Sequence, residues 1–276
     1  MTELKEILEA LAAGKLEIAA AEEQIETTLQ RAFYIENIEN MTKFDVFRQE
    51  RTGLPEVIFS ESKTTEQLVS ILKALLKTNE IVLFSRVRPD QYAPLNEVMQ
   101  DKTDFLIENH KDARMIVVKK KTYIPPTYHG KIGILCAGTS DLPVAETARI
   151  MVEAMGIETI ASADVGVAGL HRLFPPLKKM LLEGVSCIIV VAGMEGTLPG
   201  IVASLVDLPV IGVPTSVGYG LHGNGISALT TMLQSCSPGL TVVNIDNGFG
   251  AAAAAILVVS QIEKVYREQE KTEKTP

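Results

Sequence analysis

The sequence predicts an α/β protein: a three-layer domain built on a parallel sheet, preceded by a smaller N-terminal α+β domain. Beyond residue 130, short Val/Ile-rich runs read as strands ("KIGILCA", "IETIASADV", "CIIVVAG", "LPVIGVP" and "LTVVNID") and alternate with helical patterns. Continuously apolar strands separated by helices indicate a parallel sheet covered on both faces. Each strand then runs into a segment rich in Gly and polar residues: "AGTSD", "DVGVAGLHR", "AGMEG", "PTSVGYGLHGNG" and "DNGFG". Ligands of open parallel sheets bind beyond the carboxyl ends of the strands, so these loops together point to one pocket.

Taken in order, residues 1–121 read as a helical hairpin followed by the small α+β domain. In the first forty residues Leu4, Ile7, Leu8 and Leu11, then Leu16, Ile18 and Ile25, recur at helical spacing on either side of "AGK". From about 40 to 121, helical "TTEQLVSILKALLKTN" and "DQYAPLNEVMQ" alternate with strand-like "EIVLFSRV" and "ARMIVVKKK". "TYIPPTYHG", residues 122–130, has the prolines and polar content of a linker. Later helices fall on "DLPVAETARIMVEAM", "RLFPPLKKMLLEG", "TLPGIVASLVD", "GISALTTMLQSC" and "GAAAAAILVVSQIEKVY". The α/β domain is therefore placed at 131–265, with 266–276 as a charged tail.

Composition narrows the function classes. At 276 residues and 46% hydrophobic content the chain can fill a sizeable core. Its most apolar stretches, "CIIVVAGM" and "AAAAAILVV", fall short of the roughly 20 residues of a membrane span. The N-terminus carries acids throughout and lacks the basic start and apolar core of a signal peptide, which gives a cytoplasmic expectation with no membrane partner. Cys136, Cys187 and Cys236 show no CxxC spacing and are expected to be thiols. A net charge of -8 argues against general affinity for nucleic acid.

Within the loops, Gly138, Thr139 and Ser140 occupy a strand-to-helix turn, with Asp141 expected as the helix N-cap and Pro143 in the first turn. Free amides and the helix dipole suit a phosphate there; the plain alternative is a well-capped helix without a ligand. The stretch is not GxGxxG, so a dinucleotide fold of the dehydrogenase kind is not indicated. Arg172 can pair with phosphate or carboxylate, and its neighbour His171 is a structural hydrogen-bonder or a catalyst. Glu195, flanked by Gly193, Met194 and Gly196, is an acid poorly placed for packing. Asp164 and Asp246 hold similar positions as metal or ribose partners. Ser216 and Gly218, then Asn247 and Gly248, complete the expected binding wall.

The stretches "TGLPEVIF", "AGTSDLPVAETA", "SADVGVAGLHRL", "VVAGMEGTLPGIVASLVDLPVIGVPTSVGYG" and "MLQSCSPGLTVVNIDNGFGAA" extend over nearly all of residues 41–256. In that combination the chain resembles the LarB family, pyridinium-3,5-biscarboxylic acid mononucleotide synthases. The C-terminal half of that family is flavodoxin/Rossmann-like and related to phosphoribosylaminoimidazole carboxylase mutases. One departure is "GYGLHGNGISAL", where His222 and Asn224 stand in a pocket wall that the family builds from small or aromatic residues.

What the resemblance implies is carboxylation of the pyridinium ring of nicotinate adenine dinucleotide by CO2 or bicarbonate, with phosphoanhydride hydrolysis releasing AMP. No organic cofactor beyond that substrate is implied, Mg2+ is a candidate aid to the hydrolysis, and the assembly is a homo-oligomer with shared active sites. A pyridinium ring is too electron-poor to attack CO2, but a thiolate added to a ring carbon makes the ring enamine-like at C5. The family's cysteine motif matches "SCSPG" and so points to Cys236. Glu195, with Asp164 or Asp246, is the expected base or metal ligand, and His171 a further catalytic candidate.

The helix pattern makes Cys236 awkward. About eleven helical residues rise roughly 16 Å and carry it toward the opposite edge of the sheet, whereas Cys136 closes the first strand directly beside "AGTSD". Either Cys236 is a buried structural thiol, or it reaches the site of a neighbouring subunit; the resemblance favours the second. Two other functions remain to be weighed: an aminoimidazole ribonucleotide carboxylase or mutase, which needs no thiol, and a non-catalytic nucleotide sensor.

Overall fold

The computed structural model describes residues 2–32, 35–38, 42–45, 48–220 and 223–273, so His222 lies outside the described residues. Helices α1 (Thr2–Ala12) and α2 (Ile18–Ala32) form the expected hairpin. Strands β1 (Ile35–Ile38) and β2 (Thr42–Asp45) pair antiparallel, ahead of the short α3 (Arg48–Thr52). Then follow β3 (Val57–Phe59), α4 (Thr65–Leu75), β4 (Ile81–Ser85), α5 (Tyr92–Met99), β5 (Phe105–His110) and β6 (Met115–Lys120). Their sheet has the order β3-β4-β6-β5, parallel between β3 and β4 and antiparallel elsewhere.

The α/β part comprises β7 (Lys131–Cys136), α6 (Leu142–Ala154), β8 (Thr159–Ser162), α7 (Phe174–Leu182), β9 (Val185–Ala192), α8 (Leu198–Leu205), β10 (Val210–Pro214), α9 (Ile226–Leu233), β11 (Leu240–Val242) and α10 (Gly248–Glu273). All five strands are parallel, in the order β11-β10-β9-β7-β8. The chain leaves β7 toward β8 and returns on the other side to β9. That reversal opens a crevice at the carboxyl ends, where a doubly wound sheet takes its ligand. Period-2 alternation sets the layers: Ile132, Ile134 and Cys136 pack on α6 and α10, while Leu135, Ile188 and Val190 pack on α7, α8 and α9.

The N-terminal sheet adds two layers to the expected three. Leu83, Met115 and Val117 share one core with Ile150 and Met151 of α6 and Ile256 and Val259 of α10. From the other face Val82, Phe84, Ile116 and Val118 meet Leu68, Leu72 and Leu75 of α4 and Leu95 of α5. Both α6 and α10 therefore lie between two sheets. This explains why α10 alone among the described residues is long and apolar enough to cross a membrane, with mean hydropathy 1.4 over its most apolar 18 residues. Ala251, Ala252, Ala255, Ile256 and Val259 are fully buried against protein, and a helix buried on two sides reads as apolar nearly all round.

Residues 122–130 are docked rather than loose. The Tyr123 hydroxyl reaches Ala154 O at 3.5 Å, and Glu263 Oε2 accepts from His129 N and faces His129 Nδ1, both at 3.0 Å. Arg267 Nε donates to the other Glu263 oxygen at 2.9 Å, and Tyr266 stacks on His129 at 4.8 Å between ring centroids. Burial would push the Glu263 carboxyl up, but the hydrogen bonds and charge of His129 and Arg267 hold it down to about 2, against an ordinary 4.5. A depressed carboxyl stabilises the fold above its unfolded value and loses that contribution as pH falls from 4.5 toward about 2. Denaturant unfolding at stepped pH should show wild type and Glu263→Gln converging over that window and diverging above it; a constant difference down to pH 2 would contradict the coupling.

Candidate active site

Five loops meet at the carboxyl edge of the large sheet, and a buried carboxylate ties three of them together. Asp141 is 5% exposed. Its Oδ2 accepts from Gly138 N at 3.0 Å, and its Oδ1 accepts from the Thr215 hydroxyl at 2.5 Å. Asp141 holds the expected N-cap position of α6, but its side chain makes no cap bond to that helix and turns back into the loop junction. Gly193 completes the junction, since a Cβ there would collide with Val217 O and lie 2.6 Å from Thr215 Oγ1 and 2.9 Å from Asp141 Oδ1. Thr139 and Ser140 remain exposed on the outside of the turn.

The second loop is held by the first, through Val165 N to Cys136 O at 3.2 Å and Gly166 N to Ala137 O at 2.9 Å. At its surface Arg172 pairs with Asp164 and also donates to Gly169 O at 3.4 Å. Gly169 makes room for that guanidinium, because a Cβ would sit 2.6 Å from Arg172 Nε. His171 is exposed beside it. In the third loop Met194 N donates to Val217 O at 3.1 Å and Gly196 N to Gly193 O at 2.9 Å, which leaves Glu195 exposed at the tip. Fourth and fifth loops join through Ser216 N to Asp246 Oδ1 at 2.8 Å and Asp246 N to Pro214 O at 2.8 Å. Asn247 caps α10 by accepting from Gly250 N at 2.8 Å, and Gly248 begins the helix.

Three of the expected residues, Asp164, Met194 and Asp246, have left-handed backbone, with φ of 58°, 51° and 56°. Non-glycine residues pay for that conformation and keep it mainly where a side chain must stand at a fixed place. Met194, Glu195, Val217, Gly218, Tyr219 and Gly225 line a small cavity of about 160 Å³. Thr215 and Tyr219 were not singled out in the sequence, although both lie in "PTSVGYG". Among the described residues no three His, Cys, Asp or Glu side chains converge to hold a metal ion. Asp164 is taken by Arg172 and Asp246 by the Ser216 amide, so among the described residues these two carboxylates form no ready Mg2+ cage.

Comparison with known proteins joins this site to a family. Residues 131–275 match the AIR carboxylase family model, and residues 35–121 match the LarB/PurE-like N-terminal domain. The chain belongs to the AIR carboxylase family, in its LarB-like architecture. The family match runs through α10 to 275 and so includes the charged tail expected to lie outside it. An uncharacterized protein of Methanocaldococcus jannaschii is 44% identical over 95% of this chain and 98% of its own length. The N5-carboxyaminoimidazole ribonucleotide mutase of Thermotoga maritima is 34% identical, over 52% of this chain and 86% of the mutase. That of Pyrococcus horikoshii is 38% identical, over 46% and 71%. The LarB-like protein is thus an enzyme of the carboxylase and mutase family.

The thiols of this LarB-like chain separate sharply. Cys136, on the ligand edge, is 2% exposed and donates to Gly138 O at 3.1 Å. Burial, with the charges of Asp141 and Glu146 behind it, pushes its pKa up to about 12. Cys187 is fully buried, and burial likewise pushes it up to about 12. Neither forms a thiolate near neutral pH. Cys236 alone is exposed. The helix before it is shorter than the sequence pattern predicts: α9 ends at Leu233 after eight residues, a rise of about 12 Å. The following loop then docks on the first turn of α8, with the Ser237 hydroxyl donating to Gly200 O at 2.8 Å. Of the two readings left open for Cys236, this exposure tells against the buried structural thiol.

Proposed function

We propose that the protein carboxylates the pyridinium ring of nicotinate adenine dinucleotide and hydrolyses its phosphoanhydride, releasing AMP and a pyridinium-3,5-biscarboxylic acid mononucleotide. The carrying observation is the division among the thiols: an exposed Cys236 beside two cysteines that burial keeps protonated. The Cys236 thiolate adds to a ring carbon and neutralises the pyridinium to a dihydropyridine. Its enamine-like C5 attacks CO2, forming the new C–C bond. A base takes the C5 proton, and the C–S bond breaks to return the electron pair to sulfur as aromaticity is restored. Glu195 is the carboxylate for that proton, exposed at its loop tip while Asp164 and Asp246 have partners. Thr139 and Ser140, exposed on the turn that Gly138 opens, hold the phosphate end together with Arg172. Water attacks the phosphoanhydride, and AMP leaves.

Cys236 is proposed to act on the pocket of a second copy in a homo-oligomer, since its loop leads to the amino edge of the sheet, where Gly239 O accepts from Val210 N at 3.1 Å, away from the five ligand-edge loops. A mutase reading rests on the similarity to the ribonucleotide mutases over the α/β part. Thiol dependence separates the two, because an aminoimidazole is already nucleophilic. Incubation with the dinucleotide and ¹³C-bicarbonate should yield AMP and a mononucleotide carrying one labelled carboxylate by mass spectrometry. Intact, unlabelled dinucleotide, with turnover of an aminoimidazole ribonucleotide in its place, would reject the carboxylase reading for the mutase one.

A further inference from the structure

A cavity of about 190 Å³ lies in the seam between the N-terminal sheet and α6. Ile81 of β4 and Val117 of β6 form its sheet side, Ile150 and Ala154 of α6 face them, and Tyr123 and Pro125 of the docked linker close it. Strand register completes the lining. Glu108 of β5 stands opposite Val117, and Lys119 opposite Leu106, so Glu108 and Lys119 are diagonal neighbours on one face, with Lys119 Nζ 2.5 Å from Glu108 Oε1. We propose that this cavity is a second ligand site, and that it takes a small molecule consisting of one flat ring with a carboxamide. None of its lining residues belongs to the five loops. Ile150 already lies eight residues into α6, a rise of about 12 Å from the loop edge, so the site stands apart from the reaction proposed there.

Size and polarity select the ligand. A cavity of roughly 150 Å³ holds benzene, so this one has room for a ring with a short substituent. Apolar side chains on both the sheet side and the α6 side suit the ring. For the substituent, the walls offer a donor and an acceptor together. Lys119 carries three N–H donors, and Glu108 Oε2 faces His110 Nε2 across 3.7 Å, beyond hydrogen-bond range. A carboxamide presents the matching acceptor and donors on adjacent atoms. Because the Glu108–Lys119 pair is already neutral, a carboxylate ligand would meet Glu108 and an ammonium would meet Lys119, each as a like charge without a partner. Glu153 does not change this balance, since Thr159 Oγ1 donates to its Oε1 and Arg149 Nη1 to its Oε2, both at 2.6 Å. The Tyr123 hydroxyl makes only the long contact to Ala154 O, and burial raises the phenol above its ordinary 10, which keeps it neutral beside a neutral ligand. His110 Nε2 is itself buried with no hydrogen-bond partner among the described residues, so the protein alone leaves the polar side of this seam unsatisfied.

Calorimetry and thermal unfolding of the full chain, with benzamide as the probe, test the assignment. Benzamide should bind once per chain and raise the unfolding temperature as its concentration passes the Kd. Benzoate and benzylamine, the same ring with a charge, should each bind at least about tenfold more weakly. Lys119→Met should weaken benzamide by about tenfold or more, because it removes a hydrogen bond from a charged donor, and should leave deamido-NAD affinity unchanged. Ala154→Leu should abolish benzamide binding by filling the cavity. Lys119 is partly exposed, so its variant reports even if Ala154→Leu is poorly folded. Wild-type benzamide affinity in Lys119→Met, equal binding of benzoate, or a wild-type chain that does not bind benzamide would overturn the site. An equal loss of deamido-NAD affinity in Lys119→Met would place that residue in substrate binding and overturn a separate site, while leaving the carboxylase reading in place.

Discussion

Cys236→Ser should lower carboxylation by about 10⁴-fold or more while leaving dinucleotide affinity and thermal stability at wild-type values. The size follows from losing a nucleophile that acts as a unit with the groups around it. A serine hydroxyl is scarcely ionised near neutral pH, and an alkoxide leaves a ring carbon far less readily than a thiolate. The side chain is exposed, so exchanging sulfur for oxygen disturbs no packing. Cys136→Ser and Cys187→Ser should keep the reaction, although each places a hydroxyl in a buried apolar site and should lower stability. Initial rates of label incorporation measure all three. An active Cys236→Ser beside an inactive Cys136→Ser would move the chemistry to the first strand.

Glu195→Gln should slow the same reaction by about 10²–10⁴-fold, the range for removing a positioned general base, with binding intact. Together the two variants test delivery between subunits. Each should be inactive alone, but if the pocket takes Glu195 from one copy and Cys236 from another, subunit exchange creates complete pockets. In a dimer with reciprocal pockets, random exchange makes half the dimers mixed, and each mixed dimer has one intact pocket, so about one quarter of wild-type activity should return. Native mass spectrometry verifies the exchange. No recovery from a mixture shown to exchange would place thiol and carboxylate in a pocket built by a single chain.

The repeating parts of the fold were legible in the sequence. Fully buried parallel strands such as "CIIVVAG" are apolar throughout, and the Gly-rich segments after them mark the ligand edge without any knowledge of order in the sheet. The small sheet was only half visible. β4 and β6 are buried and apolar, whereas β5, "FLIENH", is a half-exposed edge strand with no clean alternation, and β3 has three residues. Within the site, the exposed Glu195 was readable from its glycines. The role of Asp141 was not: its spacing fits a helix cap, and only the fold brings Thr215 near enough to claim the carboxylate. The end of α9 was placed three residues too late, because helical periodicity in "GISALTTMLQSC" continues past the point where the helix stops.

The layering has a mechanical consequence. Of the five loops, those leading into α6 and α10 belong to helices gripped between two sheets, and these carry Thr139, Ser140 and Asp246. Those leading into α7, α8 and α9, which carry Arg172, Glu195 and Tyr219, belong to the outer helices, where Phe174, Leu182, Ile226 and Leu233 remain exposed. The pocket accordingly has a fixed jaw and a free jaw. Within one chain only the fixed jaw has a backing on both sides, so the free jaw is the half of the site whose set depends on what packs against those outer helices.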